Sequence, residues 1–165
     1  MKLLVALVAM FAVAGAGTAA TAGTTPDVGV VGSAAAVDGL LPAGYSNPRS
    51  AQQAVTWAMS QVGTVRDVGH CLRFVDLAFG HASGPPSAYL VWTQAPPELR
   101  HTSGTPPPGA VVVWSSAIGD GHGHIAISLG DGRMVSTTDG AVSVLPIAGL
   151  SDSAYYGWMP PYFYM

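Results

Sequence analysis

The spacing of apolar residues divides the chain into three regimes. The first is an unbroken apolar run, "LLVALVAMFAVA", led by Met1 and Lys2 and followed by "AGAGTAATAG", where Ala20, Thr21 and Ala22 offer a small-x-small site. A positive start, an apolar middle and small residues before a cut describe an export signal, expected over 1–22. A membrane anchor needs roughly 20 apolar residues, and this run dissolves into Gly, Ala and Thr before that length. The stretch 23–46 is built of Gly, Ala, Pro and Ser without sustained periodicity and reads as a flexible linker.

The second regime has helical spacing. Ala51, Ala54, Val55, Ala58, Met59 and Val62 recur every three or four positions, which makes one buried face. Asn47 can cap this helix, Pro48 suits its first position and Gly63 can end it. Leu72, Val75 and Phe79, with Phe74 and Ala78 alongside, predict a second helix stopped at Gly80. A short third helix fits 87–94, inside a Pro- and Gly-punctuated excursion. The period then changes: 110–114, 124–129, 133–137 and 142–147 are short, β-branched runs between turns, and "AYYGW" follows as a last run. Helices first and strands afterwards predict an α+β domain over 47–165, with a small antiparallel sheet against the helices.

Composition removes several function classes. Charged residues make up only 9% of the chain and the formal net charge is −3, so no basic surface exists to neutralise a phosphate backbone, and nucleic acid is not an expected partner. Beyond the export signal no segment is long and apolar enough to span a membrane.

The single cysteine, Cys71, carries the most chemical information. Exported proteins usually pair their cysteines or lack them, so an unpaired thiol in such a chain suggests use. Cys71 falls at the first turn of the second helix, where unpaired N–H groups and the positive dipole end favour a thiolate and could hold an oxyanion. The bland reading is a small buried hydrophobe. A base for the thiol is expected among five histidines. His70 adjoins the cysteine and should line the site or face solvent, while His81 and His101 read as solvated loop residues. His122 and His124 lie in "GDGHGHIAISLGDG", and His124 begins a strand that can aim its imidazole at a helix terminus. A metal site of His122, His124 and Cys71 is a weaker alternative, because His-x-His lacks a third nearby ligand.

"GHCLRFVDLAFG", "PPPGAVVVW", "GHGHIAISLGDGRMVST" and the terminal "YYGWMPPYF", in that order, resemble the papain-like cysteine hydrolases of bacterial cell walls. These are the NlpC-type peptidases and their CHAP amidase/peptidase relatives, and the style is that of a secreted actinobacterial branch. The resemblance covers 47–163. It implies a papain-like fold with the Cys helix against the sheet, Cys71 as nucleophile, His124 as base and no cofactor. It further implies a secreted enzyme of the cell wall, expected to act as a monomer, that cleaves an amide bond in peptidoglycan or its peptide fragments. A non-catalytic wall-binding domain, or a secreted acyltransferase or toxin with the same dyad, would share these features.

The residue that orients His124 depends on the hairpin at "LGDGR". A two-residue turn of Asp131 and Gly132 would place Asp139 opposite His124. A three-residue loop with Gly132 left-handed would pair Leu129 with Arg133 and put Ser136 and Thr138 on the His124 face. The glycine at the last loop position and the spacing in the resembled family favour Ser136, with Asp139 as the alternative.

Overall fold

A computed structural model describes residues 33–65, 70–138 and 140–164. The export segment, and with it the proposed cleavage site, lies outside the described residues. Among the described residues four α-helices, α1 (Ala34–Asp38), α2 (Ala51–Ser60), α3 (Cys71–Phe79) and α4 (Ala88–Gln94), precede five strands. The strands are β1 (Val111–Trp114), β2 (His124–Ser128), β3 (Arg133–Ser136), β4 (Ser143–Pro146) and β5 (Tyr155–Met159). They form one antiparallel sheet in the order β4-β3-β2-β1-β5. The domain is α+β, with helices N-terminal to the sheet.

Alternation along the strands gives the sheet two buried faces. Val111 and Val113 of β1, Ile125 and Ile127 of β2 and Val135 of β3 pack with the helices, including Leu72, Phe74, Val75 and Phe79 of α3. Val112, Trp114, Ala126 and Met134 point the other way, into a smaller core closed by Ile118, Leu145, Ile147, Leu150 and Tyr155. β2 is the central strand, and all five of its residues are buried.

Two expectations change at the N-terminal side. The stretch 33–46 is not a loose linker: Ala34 and Val37 of α1 are in the main core, and Asp38 accepts the Ala51 N–H at the start of α2. Ser50, not Asn47, caps α2, through a reciprocal capping box with Gln53. Asn47 is occupied elsewhere. Its amide donates to the Pro161 carbonyl at 2.7 Å and its oxygen faces His81 Nε2 at 2.8 Å, while Tyr45 bonds the backbone of Phe163. This clasp fastens the segment before α2 to the C-terminal tail.

Candidate active site

The amphipathic pattern of "CLRFVDLAF" folds as α3, and Gly80, left-handed at φ 88°, ends it. Cys71 is its first residue. His70 stands at the N-cap with no side-chain capping bond to the helix amides. Cys71 is half-buried and unpaired.

His124 comes from the opposite layer. It opens β2 directly after Gly123, whose φ of 75° and close approach to the Trp114 carbonyl leave no room for a side chain: a Cβ there would lie 2.5 Å from that oxygen. The next hairpin uses a three-residue loop. Leu129 N–H donates to the Arg133 carbonyl, Gly132 is left-handed at φ 83°, and Ile127 pairs with Val135. This register puts Ser136 on the His124 face. Ser136 Oγ lies 2.7 Å from His124 Nε2, and both side chains are buried. Asp139, the alternative partner, lies outside the described residues.

By alternation the His124 ring shares the sheet face of Trp114, whose ring lies 5.6 Å away, whereas α3 packs on the other face. The two layers meet at the open end of β2. Cys71, His124, His70, His122, Thr137 and Thr138 line one cleft of about 1050 Å³ there, with the 82–87 segment as part of its wall.

The electrostatics of the pair depart from the sequence expectation. Burial pushes the Cys71 thiol above its ordinary 9.0, outweighing the downward pull of hydrogen bonds from the Ile125, Leu72 and Cys71 backbone amides. Burial likewise lowers His124 from 6.5 to about 4. The helix terminus therefore does not produce a resting thiolate, because desolvation of the anion is the larger effect. At neutral pH the site holds a thiol and a neutral imidazole. With Nε2 engaged by Ser136, Nδ1 is the ring nitrogen left to take a proton.

The remaining histidines separate. His70 and His122 are exposed at the cleft rim. His81 and His101 are not solvated loop residues: His81 is buried against Phe163 in the clasp, and His101 stacks on Trp158 at 3.9 Å. Among the described residues no three His, Cys, Asp or Glu side chains converge on a metal position.

The same cleft holds residues that sequence reasoning passed over. Asp76 is 4% exposed and lines it, as do Ser87 and Thr137, while Thr138, expected on the His124 face, lines it too. The available signal was a carboxylate on an apolar stripe, since Asp76 stands four residues after Leu72 and three before Phe79.

Comparison with solved structures adds the fold's relatives. The resuscitation promoting factor interacting protein RipA, in a form mutated at one cysteine, superposes with a TM-score of 0.50 at 15% identity, over 70% of this chain and 63% of that one. The fold is of the NlpC/P60 type. This chain thus spans less than two thirds of the RipA structure that it matches. The P60 domain of an M. avium subspecies paratuberculosis antigen matches with a TM-score of 0.46 at 16% identity, over 67% of this chain and 95% of that domain. No family model and no curated protein matches the sequence. At such identities the NlpC/P60 likeness is one of fold, and the chemistry rests on this chain's own residues.

Proposed function

We propose that this protein is a secreted cysteine hydrolase that cleaves an amide bond in peptidoglycan, within the stem peptide or between peptide and sugar. The observation that carries the reading is the cleft shared by Cys71 and His124, with the imidazole held through Nε2 by Ser136 at 2.7 Å. In the neutral tautomer that carries its proton on Nε2, Nε2–H donates to Ser136 Oγ and leaves the Nδ1 lone pair to accept a proton. The Cys71 sulfur attacks the substrate carbonyl while its proton passes to Nδ1, so that charge appears only as the tetrahedral species forms. The first amides of α3 supply donors for the oxyanion. The imidazolium returns its proton to the leaving amine, and water, activated by the same nitrogen, releases the acyl group from sulfur. A hydroxyl at Nε2 orients the ring without the charge that a carboxylate would bring.

Digestion of purified cell walls, with mass spectrometry of the fragments, tests the proposal. Cleavage by the unsubstituted protein that is lost in Cys71→Ala, with the fold retained by circular dichroism, is the expected result. Undiminished cleavage by Cys71→Ala, or intact walls after prolonged exposure to the unsubstituted protein, refutes it.

A further inference from the structure

Buried polar atoms without partners are uncommon in folded proteins and mark places where something else supplies the bond. Six such side-chain atoms occur among the described residues, and four of them, on Asp76, Ser87, Thr137 and Thr138, belong to residues that line the cleft. The costliest to leave alone is the Asp76 carboxyl. Its Oδ1 accepts no hydrogen bond and is shut off from solvent. Burial raises its pKa to about 6, with Arg73 pulling the other way.

The cover over this carboxyl is a strap, 82–86. Gly84 lies directly on Asp76, so closely that a Cβ at Gly84 would collide with both carboxyl oxygens. Among the described residues Ala82, Ser83 and Gly84 find no backbone acceptor for their N–H groups, and Pro85 and Pro86 have none to donate. Arg73 Nη1, at 3.2 Å from the Ala82 carbonyl, ties the strap to α3, and the side of Pro85 is buried. Ser87 follows at the N-cap of α4, yet its hydroxyl makes no capping bond and remains unpartnered. A weakly bonded strap over an unsatisfied carboxyl, in a cleft that also holds the unsatisfied Ser87 hydroxyl, is suited to admit a donor.

We propose that Asp76, with Ser87, forms a recognition subsite beneath the 82–86 strap that takes an ammonium group of a peptide substrate, on the α3 side of Cys71. A cation satisfies what the fold leaves open: it supplies donors to Oδ1 and compensates the carboxylate in a site where water does not. The glycine at position 84 is what leaves the carboxyl uncovered by a side chain. This inference rests on reading the cleft as a hydrolase site, and it assigns the group that the site selects. The ammonium is the chain-terminal amine of a peptide or the side-chain amine of a diamino acid.

The test uses the full chain with Cys71→Ala, so that peptide is bound and not turned over, and the tetrapeptide alanyl-glutamyl-lysyl-alanine as probe, free, acetylated at either amine, or acetylated at both. Calorimetry should show the free peptide binding about 10- to 100-fold more tightly than the doubly acetylated one, the range expected of one charge-assisted hydrogen-bonded contact. Asp76→Asn should erase that difference, and the singly acetylated peptides identify which amine is taken. Equal binding of free and doubly acetylated peptide, or no binding of the free peptide at millimolar concentration, overturns the subsite. Should Asp76→Asn fail to fold, the carboxyl carbon resonance of Asp76 serves instead. Its titration should move to lower pH with free peptide and stay in place with the acetylated one, and an unmoved titration overturns the proposal. Wall hydrolysis by the unsubstituted protein is scored separately: amine-dependent binding without hydrolysis supports the subsite and refutes the hydrolase, whereas amide cleavage indifferent to acetylation refutes the subsite alone.

Discussion

Two buried groups in the cleft make opposite demands on pH, and substituting either should expose the other. His124, lowered by burial from 6.5 to about 4, stays neutral in the fold where the unfolded chain would already bind a proton. As pH falls from 6.5 to 4 the unfolded state gains the proton and the folded state does not, so stability is lost, by about 3 kcal/mol at roughly 1.4 kcal/mol per pH unit. Asp76, raised from 3.8 to about 6, runs the other way. Its folded carboxyl is protonated below 6 while the unfolded one is ionised above 3.8, so its contribution is complete below 3.8 and is lost as pH rises through 6, again by about 3 kcal/mol. Between pH 4 and 6 the two nearly cancel. His81, also held low by burial, adds in the His124 sense. Urea unfolding followed by tryptophan fluorescence at half-unit pH steps reads this directly. The unsubstituted protein should show a shallow profile. Asp76→Asn should lose about 3 kcal/mol between pH 6.5 and 4, and His124→Gln should become more stable as pH falls from 6 to 4. Parallel profiles for Asp76→Asn and the unsubstituted protein would mean that the carboxyl is ionised in the fold, and the burial argument would fail.

Three further outcomes follow from the site. Because Cys71 is held as a thiol by burial, iodoacetamide should label the folded protein more slowly at pH 7 than it labels an unstructured cysteine peptide, with the rate still climbing above pH 9. Rapid labelling at pH 6 would show a stabilised thiolate instead. Ser136→Ala removes the partner of His124 Nε2 and should lower kcat about 5- to 10-fold with little change in KM, the scale of one neutral hydrogen bond, and a silent Ser136→Ala would shift the orienting role elsewhere. Gly123→Ala places a Cβ against the Trp114 carbonyl at a left-handed φ, and should cost about 1–3 kcal/mol in unfolding free energy together with most of the activity, since the strand that begins at His124 must shift.

The sheet was legible because its cues are local. The β-branched runs set between Gly-Asp turns coincide with β1 to β4 to within a residue or two, and the three-residue loop at Gly130, Asp131 and Gly132 follows from glycine at its left-handed last position. What was not legible depends on partners distant in the chain. Asn47 looked like a cap because nothing nearby reveals that Pro161, 114 residues on, claims its amide. The segment at α1 looked like a linker because Ala34 and Val37 are apolar only in the modest way that a Gly- and Ala-rich stretch allows, and their burial is decided by α2. The thiol was placed correctly at a helix start, but the sign of its pKa shift was set by desolvation, which only the folded surroundings determine.

The order of the sheet has a consequence for how the chain is made. The strand synthesised last, β5, lies beside β1, the one synthesised first, and covers its outer edge from Val111 to Trp114. Before β5 docks, β1 to β4 can pair as a meander, but the Val-Val-Val-Trp edge has no neighbour until Tyr155–Met159 arrives. An open apolar edge of that kind is a template for joining another copy. A chain cut before Tyr155 would therefore yield a sticky intermediate and not a smaller soluble domain, and the five residues of β5 act as the chain's own safeguard against that fate.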